Sequence, residues 1–579
     1  MKHLKVINAY FLKYKWHFLC GLLFVSLSTI FSTYQGVIVR NGTNKIIEVF
    51  KNNQTDQTGV FLGYGFTIIV LALTSGLFLF LMRQTIIVMS RHIEYDQKNE
   101  IYNHYQILDA SFFKQNTTGD LMNRISEDVG KVRMYSGPAI MYLANTIVTT
   151  ITVLIFMLSV NVKLTLIVFL PLPLLSYLIY RVSDMINKQS GKVQKELGNL
   201  TTQAQETFSA IRVIKAYARE TFFVEKMQEK NELYKKTALK LTTIESYFGP
   251  AMVLMVGLSV LLTVWYGGKL TIQGKIEPGN ITEFILYVYK LTWPFASLGW
   301  VTSLIQRAAA SQERINEFLD TKPSITNSNS NTYLINGEIE FRNVDFIYPE
   351  NNIQAIKNIS FKLKQGQVLG ITGKVGSGKS SILNLITRQY DVTKGEILID
   401  GKNIKQHNLH LLRKNMGVVP QEVFLFSDTI SNNILFGSSD KNTGKTKIED
   451  AAKQAQVHDN IMTFPANYDT IVGERGVTLS GGQKQRISIA RALINKPQLL
   501  IFDDCLSAVD TETEELILNN LNKEMKNKTA IIVSHRISSL KNADLILYMK
   551  DGEIVEMGTH EELLALRKSY FQLYQMQSN

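Results

Sequence analysis

Hydrophobic residues are distributed unevenly along this chain of 579 residues. Long apolar runs occupy residues 1–310, whereas the remainder alternates short apolar segments with polar ones. Runs of the first kind are typical of membrane helices, and the alternation is typical of a soluble domain. The pattern therefore predicts two regions of different fold class.

A helix that crosses the hydrocarbon core of a bilayer needs about 20 predominantly apolar residues. Six segments have this character: 18–39, 60–82, 140–160, 164–180, 248–266 and 284–305. Lys and Arg are dense before the first segment and after the second and fourth, and sparse in the opposite connections. The positive-inside rule therefore predicts that the N-terminus and both long polar segments are cytoplasmic.

The two long polar segments are rich in helix-forming residues and poor in Gly and Pro. We expect the spanning helices to continue through them into the cytoplasm. Each segment is predicted to turn at its tip through a short connecting helix, near 109–113 and 216–220. A soluble domain inserted between spans is the alternative.

Composition narrows the class of protein. The net charge of +12 is compatible with nucleic-acid binding, but the basic residues flank apolar segments, which favours a membrane protein. Cys20 and Cys505 lie in different halves, which argues against a disulfide framework and a structural zinc site. A Ser-, Asn- and Thr-rich stretch predicts a linker at 321–336 between a helical domain, 1–320, and an α/β domain, 337–579.

The clearest motif is GKVGSGKS, between the apolar segment QVLGIT and the helical pattern SILNLIT. This is a phosphate loop in its strand–loop–helix context. Lys379 is expected to reach the β- and γ-phosphates of ATP, and the Ser380 hydroxyl to ligate Mg²⁺. The backbone N–H groups that face the phosphates are expected from Gly373, Lys374, Val375, Gly376, Ser377 and Gly378.

The run LLIFDD predicts a buried strand beside the phosphate loop that ends in two carboxylates. Asp503 at the strand end is the candidate ligand of Mg²⁺. Asp504 is then placed to orient or deprotonate the attacking water.

The segment LSGGQ, followed by KQRISIARAL, matches the signature of ATP-binding cassette (ABC) proteins. With the preceding membrane half, the chain resembles an ABC exporter half-transporter of the type I exporter fold. This resemblance implies a six-span transmembrane domain with long cytoplasmic helix extensions, fused to an α/β P-loop ATPase domain. It also implies an ATPase coupled to transport, with ATP and Mg²⁺.

The resemblance implies further roles. Tyr348 stacks on adenine, Gln421 contacts Mg²⁺ and the attacking water, and His535 hydrogen-bonds the γ-phosphate. Glu474 contacts the cytoplasmic helix tips, and Asp510 communicates across a dimer.

In this family, the signature of one chain completes the nucleotide site of another. Ser480, Gly481, Gly482 and Gln483 are therefore expected to hold the γ-phosphate of ATP bound to a second half-transporter. A dimer is required for hydrolysis.

The family usually has Glu at the position of Asp504. The aspartate carboxylate falls short by roughly 1–1.5 Å, so we expect ATP binding to persist and hydrolysis to be slow. Two alternatives follow: the chain is the weak half of a heterodimer, which we favour, or it forms a homodimer whose two sites are slow or have adjusted.

The expected function is ATP-driven export of an amphipathic or lipid-like substrate across the cytoplasmic membrane of a bacterium, or between its leaflets. A flippase for lipid or lipopolysaccharide precursors is the alternative. Peptide export ranks lower, because no peptidase-like segment precedes the first apolar run. Six spans argue against a cassette protein that acts on nucleic acid, and nothing resembles the regulatory domain of an ATP-gated channel.

The sixth apolar segment contains Lys290 and several aromatic residues: Tyr287, Tyr289, Trp293, Phe295 and Trp300. The aromatic residues line a substrate cavity or serve packing and interface roles. Lys290 is either a substrate site or a side chain that extends to the outer interface.

Overall fold

The computed structural model describes residues 2–578 except 53–57, 328–334, 439, 441–442, 474–475, 477–478, 506–515, 518–519 and 521–527. The chain forms two compact units. The helical unit comprises residues 1–106 and 119–321, and the α/β unit comprises 107–118 and 322–579. A short segment of the first half, 107–118, thus belongs to the same unit as the C-terminal half.

Residues before 322 are helical almost throughout. The α-helices are α1 (Ile7–Lys13), α2 (Lys15–Lys51), α3 (Thr58–Ile107), α4 (Ala110–Gln115), α5 (Thr118–Asn123), α6 (Val129–Met134), α7 (Ile140–Val160), α8 (Val162–Phe169), α9 (Pro171–Ser209), α10 (Ile211–Ala216), α11 (Glu220–Ser246), α12 (Phe248–Ile272) and α13 (Pro278–Leu319). Helix α4 lies in the segment that joins the α/β unit.

Four helical stretches of the described residues are long and apolar enough to cross a membrane: Lys15–Lys51, Thr58–Ile107, Thr118–Val160 and Glu220–Ile272. They contain the predicted first, second, third and fifth spans. The predicted sixth span lies within α13, where polar residues such as Lys290 make the helix less apolar. The count of six spans therefore stays a prediction.

The predicted fourth span, 164–180, is divided between two helices. Helix α8 ends at Phe169, and α9 begins at Pro171. Because proline has no N–H, it is unfavourable inside a helix but is well tolerated at the first helical position. Leu170, between the two helices, keeps helical backbone angles, with φ of −52° and ψ of −42°. The predicted span therefore consists of two consecutive helices.

The second cytoplasmic tip also differs from the prediction. Its short helix, α10, lies at Ile211–Ala216, before the predicted range of 216–220, and that range forms the turn. Ala218 has a left-handed φ of 49°, and the Arg219 N–H donates to the Ile214 carbonyl at 3.0 Å. Glycine usually marks such a helix end. Because alanine occupies this position in the chain, the sequence did not indicate that the helix ends there.

Helix α13 forms much of the buried core of the helical unit. Pro278 starts the helix, and Glu277 caps its N-terminus. The Glu277 side chain accepts from the Asn280 N–H, and the Glu277 N–H donates to the Asn280 Oδ1 at 2.9 Å. Further along, Phe284 and Val288 are fully buried against residues of α7 and α8.

The α/β unit contains two sheets. Their strands are β1 (Ile339–Ile347), β2 (Gln354–Leu363), β3 (Val368–Gly373), β4 (Lys394–Ile399), β5 (Lys402–Asn403), β6 (Met416–Val419), β7 (Leu499–Asp503), β8 (Thr529–Val533), β9 (Leu545–Lys550) and β10 (Glu553–Gly558). The smaller sheet has the order β2-β1-β4-β5, and the larger has the order β10-β9-β3-β8-β7-β6.

Further helices of this unit connect and cover the strands. They are α14 (Lys379–Ile386), α15 (Leu409–Lys414), α16 (Ile430–Leu435), α17 (Lys445–Gln454), α18 (His458–Met462), α19 (Gly481–Leu493), α20 (His560–Ala565) and α21 (Ser569–Ser578).

The larger sheet determines where the nucleotide site lies. Strands β6, β7, β8, β3 and β9 are parallel, with Phe502 paired to Ile532 and Ile371 to Val533. The continuous Leu, Ile and Val runs of β7 and β8 are buried, as in sheets covered on both faces. Strand β8 separates β7 from β3, so the predicted strand of LLIF is not the direct neighbour of the phosphate-loop strand. The carboxyl ends of all these strands share one edge, where ligands bind in such sheets.

Segment 107–118 is anchored to the α/β unit by Asp109. This residue caps α4 by accepting from the Phe112 N–H at 3.2 Å, as the prediction of a helix near 109–113 requires. It also accepts from the N–H of Ser324, at 2.6 Å, and from the Ser324 hydroxyl. Burial acts to raise the pKa of Asp109, but these hydrogen bonds outweigh it and lower the pKa.

We expect Asp109→Ala to release α4 from the α/β unit. Loss of a helix cap costs about 0.5–2 kcal/mol, and hydrogen bonds to a charged group contribute about 1.5–3 kcal/mol each. Amide hydrogen exchange over residues 110–115 should therefore accelerate at least tenfold. Gln115→Ala, at the exposed end of the same helix, is the control. Unchanged exchange in the Asp109 variant would contradict the anchoring role.

Candidate nucleotide site

A cleft of about 610 Å³ opens at the carboxyl edge of the larger sheet. It brings together residues that are widely separated in the sequence and that were predicted as nucleotide or metal contacts. They are Tyr348, Val375, Gly376, Ser377, Gly378, Lys379, Ser380, Gln421, Asp503, Asp504 and His535. Gly373 and Lys374, at the start of the phosphate loop, contribute carbonyl groups behind this lining.

The phosphate loop connects β3 to the N-terminus of α14. Gly378 has φ of 96° and caps the helix, and a Cβ there would collide with the carbonyl oxygen of Ala355. Only glycine adopts this backbone without strain. The Lys379 Nζ lies inside the loop and donates to the Gly373 and Lys374 carbonyls at 3.0 and 2.8 Å.

Two features of the loop fit a polyphosphate. The hydroxyl of Ser377 is buried without a hydrogen-bond partner, although such groups are normally paired. Burial lowers the pKa of Lys379, and the negative charges of Asp503 and Asp504 partly oppose this effect. No carboxylate of the described residues forms a salt bridge with Lys379. The loop therefore presents an unpaired hydroxyl and a positive charge, which complement phosphate oxygens.

The residues predicted to ligate Mg²⁺ meet in the same cleft. Asp503 ends β7 and accepts a hydrogen bond from the Ser380 side chain, and Gln421 follows β6. Burial raises the pKa of Asp503, with the Ser380 hydrogen bond acting in the opposite direction. Carboxylate, hydroxyl and amide oxygens are the donors that a hard divalent cation prefers, so this set fits Mg²⁺.

Asp504 occupies a turn that suits aspartate. Its φ is 44°, in the left-handed region where Asp and Asn are enriched, and its N–H donates to the Val533 carbonyl at 2.9 Å. His535 lies two residues beyond the end of β8, and its backbone carbonyl accepts from the Gln577 Nε2 at 2.6 Å. Both side chains line the cleft, and their roles at the γ-phosphate stay predictions.

The signature segment lies at the start of α19. Ser480 caps this helix by accepting from the Gln483 N–H, and the Gln483 side chain accepts from the Ser480 N–H. This capping box leaves Gly481 and Gly482 in the first turn of a 13-residue helix. None of these four residues lines the cleft among the described residues. Glu474 and Asp510 lie outside the described part of the chain.

Tyr348 also lines the cleft. Its hydroxyl lies 3.0 Å from the Ser381 Oγ, and its ring makes an edge contact with Tyr390. The Nζ of Lys114, from segment 107–118, lies 4.7 Å from the Tyr348 ring centroid and 5.1 Å from that of Tyr390. The sequence did not indicate Lys114, since only the fold brings this segment to the predicted adenine platform. The one available signal was a basic residue next to a predicted tip.

Comparison with known proteins identifies both halves of the chain. The ABC transporter transmembrane region family matches residues 18–295, and the ABC transporter family matches residues 356–507. The chain is 35% identical over 579 residues to an uncharacterized ABC transporter ATP-binding protein, YknU, of Bacillus subtilis (strain 168), covering 100% of this chain and 98% of the relative.

Other relatives carry names that specify a cargo. An ATP-dependent lipid A-core flippase of Syntrophus aciditrophicus (strain SB) is 36% identical, with 84% of this chain and 81% of the relative covered. The multidrug resistance-like protein MdlA of Escherichia coli (strain K12) is 34% identical, with 92% and 91% covered.

The fold is similar to that of a solved bacterial Atm1-family ABC exporter with ATP bound. The TM-score is 0.80 at 24% identity, and 99% of each chain is covered. This similarity confirms the predicted fold class, a helical ABC membrane domain with long helices fused to an α/β ATPase domain. Half-transporters of this type dimerise. The chain therefore belongs to the ATP-driven, multi-pass membrane ABC exporters, in which a transmembrane domain and an ATP-binding cassette share one polypeptide.

Proposed function

We propose that this chain is one half of a dimeric exporter that moves an amphipathic or lipid-like substrate out of the cytoplasm, or between leaflets of the bacterial cytoplasmic membrane. The observation that carries the proposal is the convergence of the phosphate loop, Asp503, Asp504, Gln421 and His535 in one cleft. The helical unit of the same chain supplies the apolar helices.

Each residue of the cleft has a proposed task. Lys379 and the loop N–H groups bind the β- and γ-phosphates and offset their charge. Tyr348 supplies a flat surface for adenine. Asp504 holds the attacking water and receives its proton, and His535 donates a hydrogen bond to the γ-phosphate. Mg²⁺, held by Ser380, Gln421 and Asp503, would neutralise charge on the phosphate oxygens when bound.

The signature residues are proposed to complete the site of a second half-transporter. The support is that Ser480, Gly481, Gly482 and Gln483 lie at a helix N-terminus, which favours anions, and away from the cleft of their own chain. ATP would then draw two cassettes together, and hydrolysis would allow them to separate. Segment 107–118 belongs to the cassette unit, so motion of the cassette also moves a piece of the first half.

A lipid flippase is the second candidate. The lipid A-core flippases among the relatives are about as similar to this chain as the multidrug resistance-like proteins are. Both candidates share the ATP cycle and differ in the cargo. Stimulation of ATPase activity in nanodiscs by a panel of lipids, drugs and peptides discriminates between them.

For the partner, we propose a heterodimer in which this chain provides the slower site, because Asp504 is shorter than the glutamate usual in the family. In such a dimer, Ser480 serves the competent site of the other half. Ser480→Ala is therefore expected to lower steady-state ATPase activity of the complex about tenfold, through loss of a hydrogen bond to a charged group.

Thr559→Ala is the matched control for Ser480→Ala. Thr559 caps α20 with the same capping-box geometry but does not line the cleft. Loss of the Thr559 cap should slightly reduce the stability of the folded protein and leave ATP turnover unchanged. Equal ATPase activity of the Ser480→Ala and Thr559→Ala complexes would contradict the proposed role of Ser480. If the chain purified alone turns over ATP as fast as the complex and Asp504→Ala abolishes that turnover, the heterodimer is wrong and the homodimer is correct.

A further inference from the structure

Polar side chains form a seam where α2 and α13 face each other in the helical unit. Glu283, Tyr287 and Lys290 are spaced four and three residues apart on α13, so they share one face of that helix. The Arg40 Nη1 lies 3.4 Å from the Glu283 Oε2, and the Tyr287 hydroxyl donates to the Glu283 Oε1 at 2.9 Å. Gly36 makes room for the Tyr287 ring.

Lys290 ends this seam in a pocket of neutral oxygens. Its Nζ donates to the hydroxyls of Ser32 and Thr33, the latter at 2.8 Å, and to the Thr29 carbonyl at 3.4 Å. Both hydroxyls in turn donate to the Thr29 carbonyl, at 3.1 and 2.7 Å. Because their protons are used in this way, their lone pairs face the ammonium group. The arrangement stabilises a cation at this position.

The charged groups of the seam are not all paired with one another. The carboxylate of Glu283 is fully buried and pairs with Arg40 rather than with Lys290. Among the described residues, no carboxylate forms a salt bridge with Lys290. An intramembrane cation without a counter-ion is costly, and such residues usually mark a binding site or a transport pathway.

The direction of the Lys290 side chain argues against its extension to the outer interface. Arg40 faces Glu283 and Gly36 faces Tyr287, so α2 and α13 run antiparallel, and Thr33 lies level with Lys290. The positive-inside rule places the higher-numbered end of α2 outside. The Lys290 Nζ contacts Thr29, Ser32 and Thr33 of α2. Along the membrane normal, these residues lie at the level of Lys290 or closer to the cytoplasmic end of α2. The ammonium group is therefore held within the predicted span.

An exposed apolar surface adjoins this cation on α13. Tyr289 and Trp293 are 60% and 62% exposed, and Leu286 is 40% exposed. Their spacing of three and four residues places them on one side of the helix, next to Lys290 in sequence. Positive charge and aromatic surface together complement an amphiphile with an anionic headgroup.

We infer that Lys290 binds the anionic headgroup of the transported substrate, a phosphate or carboxylate, while the side chains of Leu286, Tyr289 and Trp293 contact its apolar tail. Ser32 and Thr33 hold the side-chain nitrogen in place when the site is empty. This inference rests on the proposed export function and names the class of its substrate: an anionic amphiphile.

The test is equilibrium binding to the full-length protein, together with its partner half where one is required, in phosphatidylcholine nanodiscs. The probes are radiolabelled lysophosphatidic acid and lysophosphatidylcholine with the same acyl chain, which differ in net headgroup charge. We expect wild-type protein to bind the anionic lipid about tenfold more tightly, as one charge-assisted pair allows. Lys290→Gln should abolish the difference, and Lys290→Arg should retain it.

Lys269→Gln is the matched control, since it removes an exposed cation from α12 of the same unit and should leave the preference intact. Equal affinity of wild-type protein for the two lipids overturns the inference, whether or not the variants fold. Preference that persists in Lys290→Gln also overturns it. ATPase activity is measured in the same discs. ATP turnover without a preference for the anionic lipid contradicts only this inference. Preference for the anionic lipid without any ATP turnover contradicts the proposed export function.

Discussion

Lys379→Ala is expected to weaken MgATP binding at the phosphate loop of this chain by about a hundredfold. Lys379 is the only lysine that lines the cleft among the described residues, and its Nζ is held by the Gly373 and Lys374 carbonyls, where the phosphates are predicted to bind. Hydrogen bonds to charged groups contribute about 1.5–3 kcal/mol each, and 1.4 kcal/mol corresponds to a factor of ten. Loss of two such contacts accounts for the expected change.

The measurement is equilibrium binding of labelled ATP to full-length protein in nanodiscs. Lys374→Ala is the matched control, because Lys374 belongs to the same loop and carries the same charge, but its exposed side chain does not line the cleft. The affinity of the Lys374→Ala variant for ATP should stay within about twofold of the wild-type affinity, which is the change expected for a solvated surface charge. Equal affinities of the two variants would show that Lys379 does not contact the nucleotide.

Asp504→Glu is expected to raise the rate of ATP hydrolysis at this chain's own site by at least tenfold. The added methylene restores the reach of roughly 1–1.5 Å that aspartate lacks. Correct placement of a general base contributes about 10²–10⁴-fold to a rate, so part of that factor is recovered. The left-handed backbone at Asp504 disfavours glutamate relative to aspartate, which sets a limit on the gain.

Two further variants test whether the short reach of the Asp504 carboxylate causes slow hydrolysis. Asp504→Asn has the same shape and the same tolerance for the left-handed turn but no charge, so hydrolysis at this site should fall below wild type. Asp503→Glu adds the same methylene at the proposed metal ligand, which ends β7, and should lower activity. Single-turnover hydrolysis, with each variant's ATP affinity measured in parallel, separates binding from chemistry. If Asp504→Glu and Asp504→Asn both match wild type, the carboxylate does not limit the reaction.

Short-range patterns predicted much of the nucleotide site. The apolar segments next to GKVGSGKS and in LLIFDD form β3 and β7, because continuous runs of Leu, Ile and Val are typical of buried central strands. Glycine in the phosphate loop is required by a backbone that other residues do not adopt without strain. Such features depend on a few neighbouring residues, so they can be read from the sequence.

Predictions failed where the local signal was missing or ambiguous. Ala218 follows α10 in a left-handed turn that glycine usually marks. The position of β8 between β3 and β7 was not predictable either, because strand order depends on how connections pack rather than on the strands themselves.

The membrane-like and cassette-like halves, the phosphate loop, the carboxylates Asp503 and Asp504, and the signature can all be identified from the order of residues alone. Periodicity and turn chemistry act over a few residues and are therefore visible in one chain. The three-dimensional fold was needed to show that segment 107–118 joins the α/β unit and that Lys114 reaches Tyr348. It also shows that the Lys290 side chain contacts three oxygens of α2 instead of extending outward. These contacts join residues more than 200 positions apart, and packing of whole elements, not local preference, brings them together.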